Sequence, residues 1–461
     1  MDDRTREFVE TFQLFLRDVV NQNPAADDRL TPFGELVEEH LGEPIRRLPV
    51  VTHLVAPHRL VDLDLALASL ADESHAPARG VSGGQQREHG DLPELLINPF
   101  ARFADGPVDY VSIADGPASA RQVVSFGYYL LAFEGAPLLA LQRRAMPERG
   151  RNSATLEVLT AESETATRFF EEIERRMLRL SVLRGQVLSF TGNQYGHGAA
   201  GTTFLPRPNV DADAVVLPPG VLESVVRHVV GIGEHRERLH GAGQHLKRGV
   251  LLYGPPGTGK TLTVRHLLSR TPETTAVLLT GGSIQFISEA ADLARAMQPA
   301  IVVLEDVDLV AGERGMHGAP QPLLFAILDA LDGLDGDADI TFVLTTNRVD
   351  VLERALAERP GRIDLAVEIP LPDAEARRRL FRRYGAGLPL SQTALDAAAD
   401  RADETTGSFA KELVRRAVLS AAEQGRDVGD DDLAAALDEL LDSSAQLARN
   451  LLGGGGGISG E

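Results

Sequence analysis

Gly254-Pro255-Pro256-Gly257-Thr258-Gly259-Lys260-Thr261 constrains this chain more than any other stretch. The apolar run Val250-Leu251-Leu252-Tyr253 precedes it, and 262–268 reads as a helix after it. A strand, a glycine loop ending in Lys-Thr and a helix make a phosphate-binding P-loop. Glycines let the loop wrap tightly and turn backbone N–H groups toward an anion. The helix that begins there adds the positive end of its dipole. The stretch from Gly254 to Leu262 is therefore the expected nucleotide cradle: Lys260 should reach the outer phosphates, and the Thr261 hydroxyl should ligate Mg²⁺. The plainer alternative is a glycine-rich loop with no nucleotide partner.

A second strand, Ile301-Val302-Val303-Leu304, delivers Glu305, Asp306 and Asp308 at its end. Paired acids in that position after a P-loop suit two tasks, holding Mg²⁺ through its water shell and polarising an attacking water; three acids at a strand end as a solvated turn is the alternative. Thr345-Thr346-Asn347-Arg348 ends the next strand, where the Asn347 amide can orient that water or touch the γ-phosphate. Arg359-Pro360-Gly361-Arg362 is a rigid turn with two arginines. In a monomer these are surface charges. In a ring, Arg359 and Arg362 can enter a neighbour's site and stabilise charge on the transferring phosphoryl group.

At 461 residues, two or three domains are expected. Residues 1–204 read as an N-terminal α+β domain ending in a glycine-rich linker: an amphipathic helix over 1–22, a helix near 34–42, a loop over 71–92, strands at 108–113, 121–133, 137–143 and 154–159, a helix over 166–183, and a strand at 186–190. His197, alone in the linker, has no nearby ligand partners for a metal. Residues 205–372 hold five strand candidates, 249–253, 276–280, 300–305, 340–346 and 365–369, alternating with helices, which indicates a mostly parallel sheet. Ligands in such sheets sit at the carboxyl ends of the strands, where the P-loop, the acids and Asn347 all fall. Helices at about 373–385, 391–402, 407–424 and 430–447 form an all-α lid over 373–446, and 447–461 is a glycine-rich tail expected to be disordered. The fold class is thus an α/β P-loop NTPase sheet with a helical lid, preceded by an α+β domain.

Composition narrows the function. With no cysteine, disulfides, thiolate catalysis and cysteine metal sites are excluded. A net charge of −21 opposes nucleic-acid binding as the main task. No apolar run approaches the length of a membrane span, about 18–20 residues, and the N-terminus lacks the pattern of a secretory signal, so a cytoplasmic location without membrane insertion is expected. The only lysines are Lys247, Lys260 and Lys411.

These motifs, together with Leu328-Asp329-Ala330-Leu331-Asp332-Gly333 and Arg359-Pro360-Gly361-Arg362-Ile363-Asp364, resemble the AAA ATPases over about 205–446. The resemblance implies an α/β domain with a helical lid, a homo-oligomeric ring, usually a hexamer and sometimes a heptamer, and ATP hydrolysis that remodels proteins. It implies Lys260 on phosphate, Thr261 and Glu305 on Mg²⁺, Asp306 polarising water, Asn347 as first sensor, and Arg359 and Arg362 as fingers in trans. Most of the family reads Asp-Glu where this chain has Glu305-Asp306. The swapped order is similar to the subfamily of the mitochondrial translocase that moves the Rieske iron–sulfur protein, so the chain reads as a soluble bacterial relative. No pore-loop aromatic is evident: Phe286 in Gly281–Ile287 reads as core, and threading is not implied. No arginine stands in the first turn of the helix at Gly407, where a second sensor would be.

The expected function is therefore an ATP-driven ring whose N-terminal domain engages an unknown protein. The rival is a nucleotide-gated scaffold with little turnover, because Asp306 is one methylene shorter than glutamate and a misplacement of about 1 Å can lower a rate about 10²-fold. A nucleic-acid remodeller is a third reading, opposed by the charge.

Overall fold

The computed structural model describes residues 11–13, 29–84, 87–98, 100–191, 201–308, 326, 327, 329, 330, 336–348 and 363–442. Most of the expected helix over 1–22, the linker around His197, much of the motif over 328–333, Arg359 and Arg362, and the tail lie outside the described residues. Two compact units divide the chain, the second taking Leu183–Phe190 and the residues from Thr203 onward.

The first unit is an antiparallel sheet clad on both faces. Its strands are β1 (Val50–Val55), β4 (Asp109–Ala114), β5 (Ala120–Phe133), β6 (Ala136–Arg143) and β7 (Ala154–Thr160), in the order β1-β7-β6-β5-β4. A separate two-stranded ladder joins β2 (Gly80–Ser82) to β3 (Ala104–Gly106). The helices are α1 (Pro32–Leu41), α2 (Leu60–Ser74), α3 (Leu92–Leu96) and α4 (Ser163–Arg179).

Helix α1 begins where Thr31 accepts a hydrogen bond from Gly34 N and Pro32 needs no donor, and it stops at left-handed Gly42. In α4, Ala166, Phe169, Ile173 and Met177 recur at helical spacing and are buried. With α2 they cover one face of the sheet, against Val123, Leu131 and Val158. On the other face, α1 and α3 pack Phe33, Val37 and Leu95 against Tyr128 and Leu141. Each fully buried large side chain contributes about 1.5–3 kcal/mol.

Part of the expected loop over 71–92 is ordered: α2 runs to Ser74 and β2 pairs with β3. The partner strand is more than twenty residues away, so no local pattern announces it.

The second unit centres on a seven-stranded sheet in the order β14-β10-β13-β12-β11-β8-β9. Its strands are β8 (Val187–Thr191), β9 (Gly201–Leu205), β10 (Arg248–Tyr253), β11 (Thr275–Thr280), β12 (Ala300–Glu305), β13 (Ile340–Thr346) and β14 (Leu365–Glu368). From β14 through β8 the neighbours run parallel. The strand expected at 186–190 therefore belongs here and not to the α+β domain: Val187 to Ser189 pair with Ala276 to Leu278. Five strands were expected in this sheet, and β8 and β9 extend it to seven.

Helical turns over 221–241 precede β10, with α5 (Val221–Val226) first. Helix α6 (Lys260–Arg270) follows β10, and α7 (Ile287–Ala296) lies between β11 and β12. Gly281–Phe286 forms a 3₁₀ turn, and half-buried Phe286 packs on buried Phe190 with ring centroids 6.1 Å apart.

The lid is α8 (Ala374–Tyr384), α9 (Gln392–Arg401), α10 (Gly407–Glu423) and α11 (Asp430–Leu441) around a core of its own, including Phe381, Phe409, Leu413 and Leu437. Asp373, Ser391 and Thr406 cap the first three by accepting from the N–H three residues on. Among the described residues no helix is long and apolar enough to cross a membrane.

Candidate active site

Strand β10 is buried over 248–252 and ends at Gly254, whose φ of 144° only glycine adopts readily. A Cβ there would sit 2.2 Å from the Ile369 carbonyl oxygen. Gly257 is equally constrained: its φ is 77°, and a Cβ would meet Ser408 Oγ of the lid at 2.8 Å. The loop thus needs glycine twice, once for the neighbouring strand and once for the lid.

Within it, Thr258 Oγ1 donates to the Pro255 carbonyl (2.9 Å), and Lys260 Nζ donates to the carbonyls of Gly254 (2.7 Å) and Pro255 (2.8 Å). Burial pushes the Lys260 ammonium down to about 8, opposed by the carboxylates of Asp306 and Asp308. A buried cation satisfied only by its own loop's carbonyls is suited to a phosphate that would replace them.

The acids stand on the neighbouring strand end. Burial raises the Glu305 carboxyl above its usual range and Asp306 raises it further, whereas a hydrogen bond from the Thr261 hydroxyl and the charge of Arg265 pull it down. Asp306 has a φ of 53°, the left-handed region that aspartate tolerates better than most residues. Its N–H donates to Thr345 Oγ1 (3.0 Å), and Asn347 Nδ2 donates to its Oδ1 at 3.4 Å. Asp308 Oδ1 accepts from Thr346 Oγ1 (2.9 Å) and from the Asn347 N–H (3.0 Å), fixing the end of β13 beside Asp306.

A cavity of about 540 Å³ joins these parts. The P-loop from Pro256 to Leu262, Asp306 and Asn347 line one side, and Gly407, Ser408 and Lys411 of the lid line another. Leu217 and Tyr384 add apolar wall. That volume is in the range of small-ligand sites, about 300–1,000 Å³.

Of the residues singled out in the sequence, the structure brings Lys260, Thr261, Glu305, Asp306 and Asn347 together. Gly254 and Pro255 complete the loop, their carbonyls turned to Lys260. Arg359 and Arg362 are outside the described residues. Sequence reasoning assigned no role to Asp308, Thr345 or Thr346, although it quoted all three in its motifs. It also passed over Lys411. No arginine stands in the first turn of α10, but this lysine lines the cavity, and two lysines of only three at one cavity is a compositional signal.

The thiol-free oxygen set of Thr261 and Glu305 suits a hard cation. No cluster of three His, Asp or Glu that could hold a metal occurs among the described residues. Mg²⁺ needs none, because waters and phosphates complete its shell.

A parallel sheet with a glycine loop between β10 and α6, and an acid pair on the second strand away, defines a P-loop nucleoside-triphosphatase fold. Residues 250–371 match the family model of the ATPase family associated with various cellular activities (AAA), so the second unit carries a nucleotide-binding AAA domain.

Similar proteins include the ATP-dependent zinc metalloprotease FtsH 2 of Sphaerobacter thermophilus, 33% identical over 300 residues, which are 59% of this chain and 46% of the relative. The 26S proteasome regulatory subunit 10B homolog A of Arabidopsis thaliana is 38% identical over 154 residues, 31% of this chain and 38% of the relative. The proteasome-activating nucleotidase of Methanocaldococcus jannaschii is 29% identical over 256 residues, 51% of this chain and 58% of the relative. The chain thus spans between 38% and 58% of these relatives' lengths. No His-Glu-X-X-His motif, the pattern of helical zinc-protease sites, occurs in these 461 residues.

Proposed function

We propose that the chain hydrolyses ATP with Mg²⁺, works as a homo-oligomeric ring, hexameric or heptameric, in the cytoplasm, and uses the energy to remodel a protein engaged by its N-terminal domain. In this reading 1–204 is the engaging domain and its linker, 205–372 the ATPase domain, and 373–446 the lid. The observation that carries it is the Asp306–Asn347 pair, which lines one cavity together with Lys260 and Thr261 of the glycine loop.

The residues divide the work. Lys260 exchanges its two loop carbonyls for phosphate oxygens and neutralises charge that develops on them. Thr261 and Glu305 would hold Mg²⁺, which supplies charge neutralisation and orients the phosphates. Asp306 accepts the proton of the attacking water, and Asn347, pinned by Asp308, keeps that carboxylate and the water aligned. Arg359 and Arg362 reach the site of the adjoining subunit.

Steady-state turnover against protein concentration, with particle size followed in the same samples, tests this. A rate per subunit that climbs with assembly and collapses in Arg359→Ala supports the ring; a rate independent of concentration in both proteins contradicts it.

A second reading, the nucleotide-gated scaffold, draws on one distance: at 3.4 Å the Asn347–Asp306 contact is long. Nucleotide-dependent assembly with negligible turnover would select it.

A further inference from the structure

Among the described residues, strand β4 is the outer strand of the N-terminal sheet and pairs only with β5. Two sets of hydrogen bonds fix which way its backbone groups point. Asp115 N donates to the Ser119 carbonyl, so residues opposite each other in step with that pair, Ile113 and Val111, bond inward to β5. On β5, Val124 turns the other way: its N–H donates to Asp64 Oδ1 and its carbonyl accepts from Gln142 Nε2. Its opposite number is Tyr110. By both routes Tyr110, Ser112 and Ala114 direct their N–H and C=O groups outward, a row of three donors and three acceptors with no ladder partner among the described residues.

Natural edges are guarded by charge, proline or a distorting bulge. The edge at β1 carries His53, 3.4 Å from the Glu174 carboxylate, and follows Arg46 and Arg47. β4 has no Asp, Glu, His, Lys or Arg from Tyr110 to Ala114, and its only irregularity lies at its start, between Asp109 and Tyr110. The charges at its two ends are already answered, Asp109 by Arg87 and Asp115 by Arg121. Val111 and Ile113 pack into the core, while Tyr110 is 54% exposed.

We infer that the β4 edge is a docking site for an extended, uncharged segment of a protein substrate, which adds to the sheet as a sixth strand. An extended backbone is the one ligand that satisfies alternating donors and acceptors at strand spacing. The neutral centre between two closed ion pairs selects an uncharged run of about five residues, since a charge laid there would be desolvated without a partner. Peptide binding that leaves the oligomeric state unchanged distinguishes this occupant from a second copy of the edge. This deepens the partner half of the function proposed above, and because its test uses no nucleotide, either can fail alone.

The test uses the full chain and a fluorescein-labelled peptide with a Thr-Val-Thr-Val-Thr centre and one lysine at each end. Its counterpart is N-methylated at alternate central amides. The expected results are saturable binding in fluorescence anisotropy, at least about tenfold weaker binding of the methylated peptide, and a similar loss in Ser112→Pro, which deletes only an outward N–H. Tyr110→Ser, at an exposed position, weakens binding by a few-fold and guards against misfolding of the proline variant. Hydrogen exchange at Tyr110, Ser112 and Ala114 should be fast in the free chain and slowed by the peptide. Slow exchange in the free chain, equal binding of the two peptides, or no binding to wild type would each overturn the inference.

Discussion

The parallel sheet of the second unit and the antiparallel sheet of the first distribute their chemistry differently. Parallel strands end together, so β10, β12 and β13 bring Lys260, Glu305, Asp306 and Asn347 to one rim, although nearly ninety residues of sequence separate the first from the last. Antiparallel strands end alternately at opposite rims, so no such convergence arises in the first unit. Its helices close both faces with hydrocarbon, and its unmet polar groups lie along an edge. At the rim of the second unit Asp306 holds the left-handed region, with a φ of 53°, beside two glycines, Gly254 and Gly257, of positive φ. One unit is therefore organised for reaction and the other for packing and contact.

The most severe way to break that comparison is at Asp306. Asp306→Asn should lower ATP turnover about 10²–10⁴-fold while leaving nucleotide affinity nearly unchanged, read by steady-state kinetics and equilibrium binding. The matching lesion in the other unit is Phe169→Ala. Phe169 is fully buried between α4 and the sheet, so its loss should cost the first unit about 3–5 kcal/mol in denaturant unfolding and leave nucleotide affinity intact. A parallel fall in affinity would show that the two units do not divide the labour this way.

Smaller changes sharpen the site itself. Lys260→Ala should weaken nucleotide binding about ten- to a hundredfold, since it removes charge-assisted bonds to phosphate. Asp308→Ala strands the Asn347 N–H and the Thr346 hydroxyl; about 1–3 kcal/mol of stability should be lost in denaturant unfolding, with a fall in turnover smaller than that of Asp306→Asn.

The least effect is a proton. In the free chain burial lowers the Lys260 ammonium from an ordinary 10.5 to about 8. The unfolded chain therefore binds more protons between those values, and this group makes stability rise as pH climbs from 8 to 10.5. A bound phosphate favours the ammonium form, so nucleotide binding near pH 8.5 should take up protons. Calorimetry in two buffers of different ionisation enthalpy measures this, and Lys260→Met should abolish it.

Much of this was legible in the sequence, for identifiable reasons. The P-loop spacing, the apolar strand ending in acids and Thr-Thr-Asn are local patterns, each tied to one backbone geometry. The strands of the parallel sheet from 248 onward and the starts of the four lid helices fell within a residue or two of their places. What the sequence did not show was non-local. The run at 187–191 reads as a strand in either unit, and only its parallel pairing with β11 decides between them. The β2–β3 ladder is three residues long and closes a distant loop. Asp308 was visible as one more acid in a run, but its service to Thr346 and Asn347 depends on two strand ends meeting. Lys411 sits a full turn inside α10, beyond the first turn where a cation was sought.

The most direct test of the central claim is steady-state ATP turnover per subunit of the full chain with Mg²⁺, beside Asp306→Asn, with nucleotide affinity measured on both. The account predicts measurable turnover in the wild type, its near-complete loss in the variant, and closely similar affinities. Equal turnover in the two proteins, or a wild type that binds ATP and does not hydrolyse it, would contradict the account.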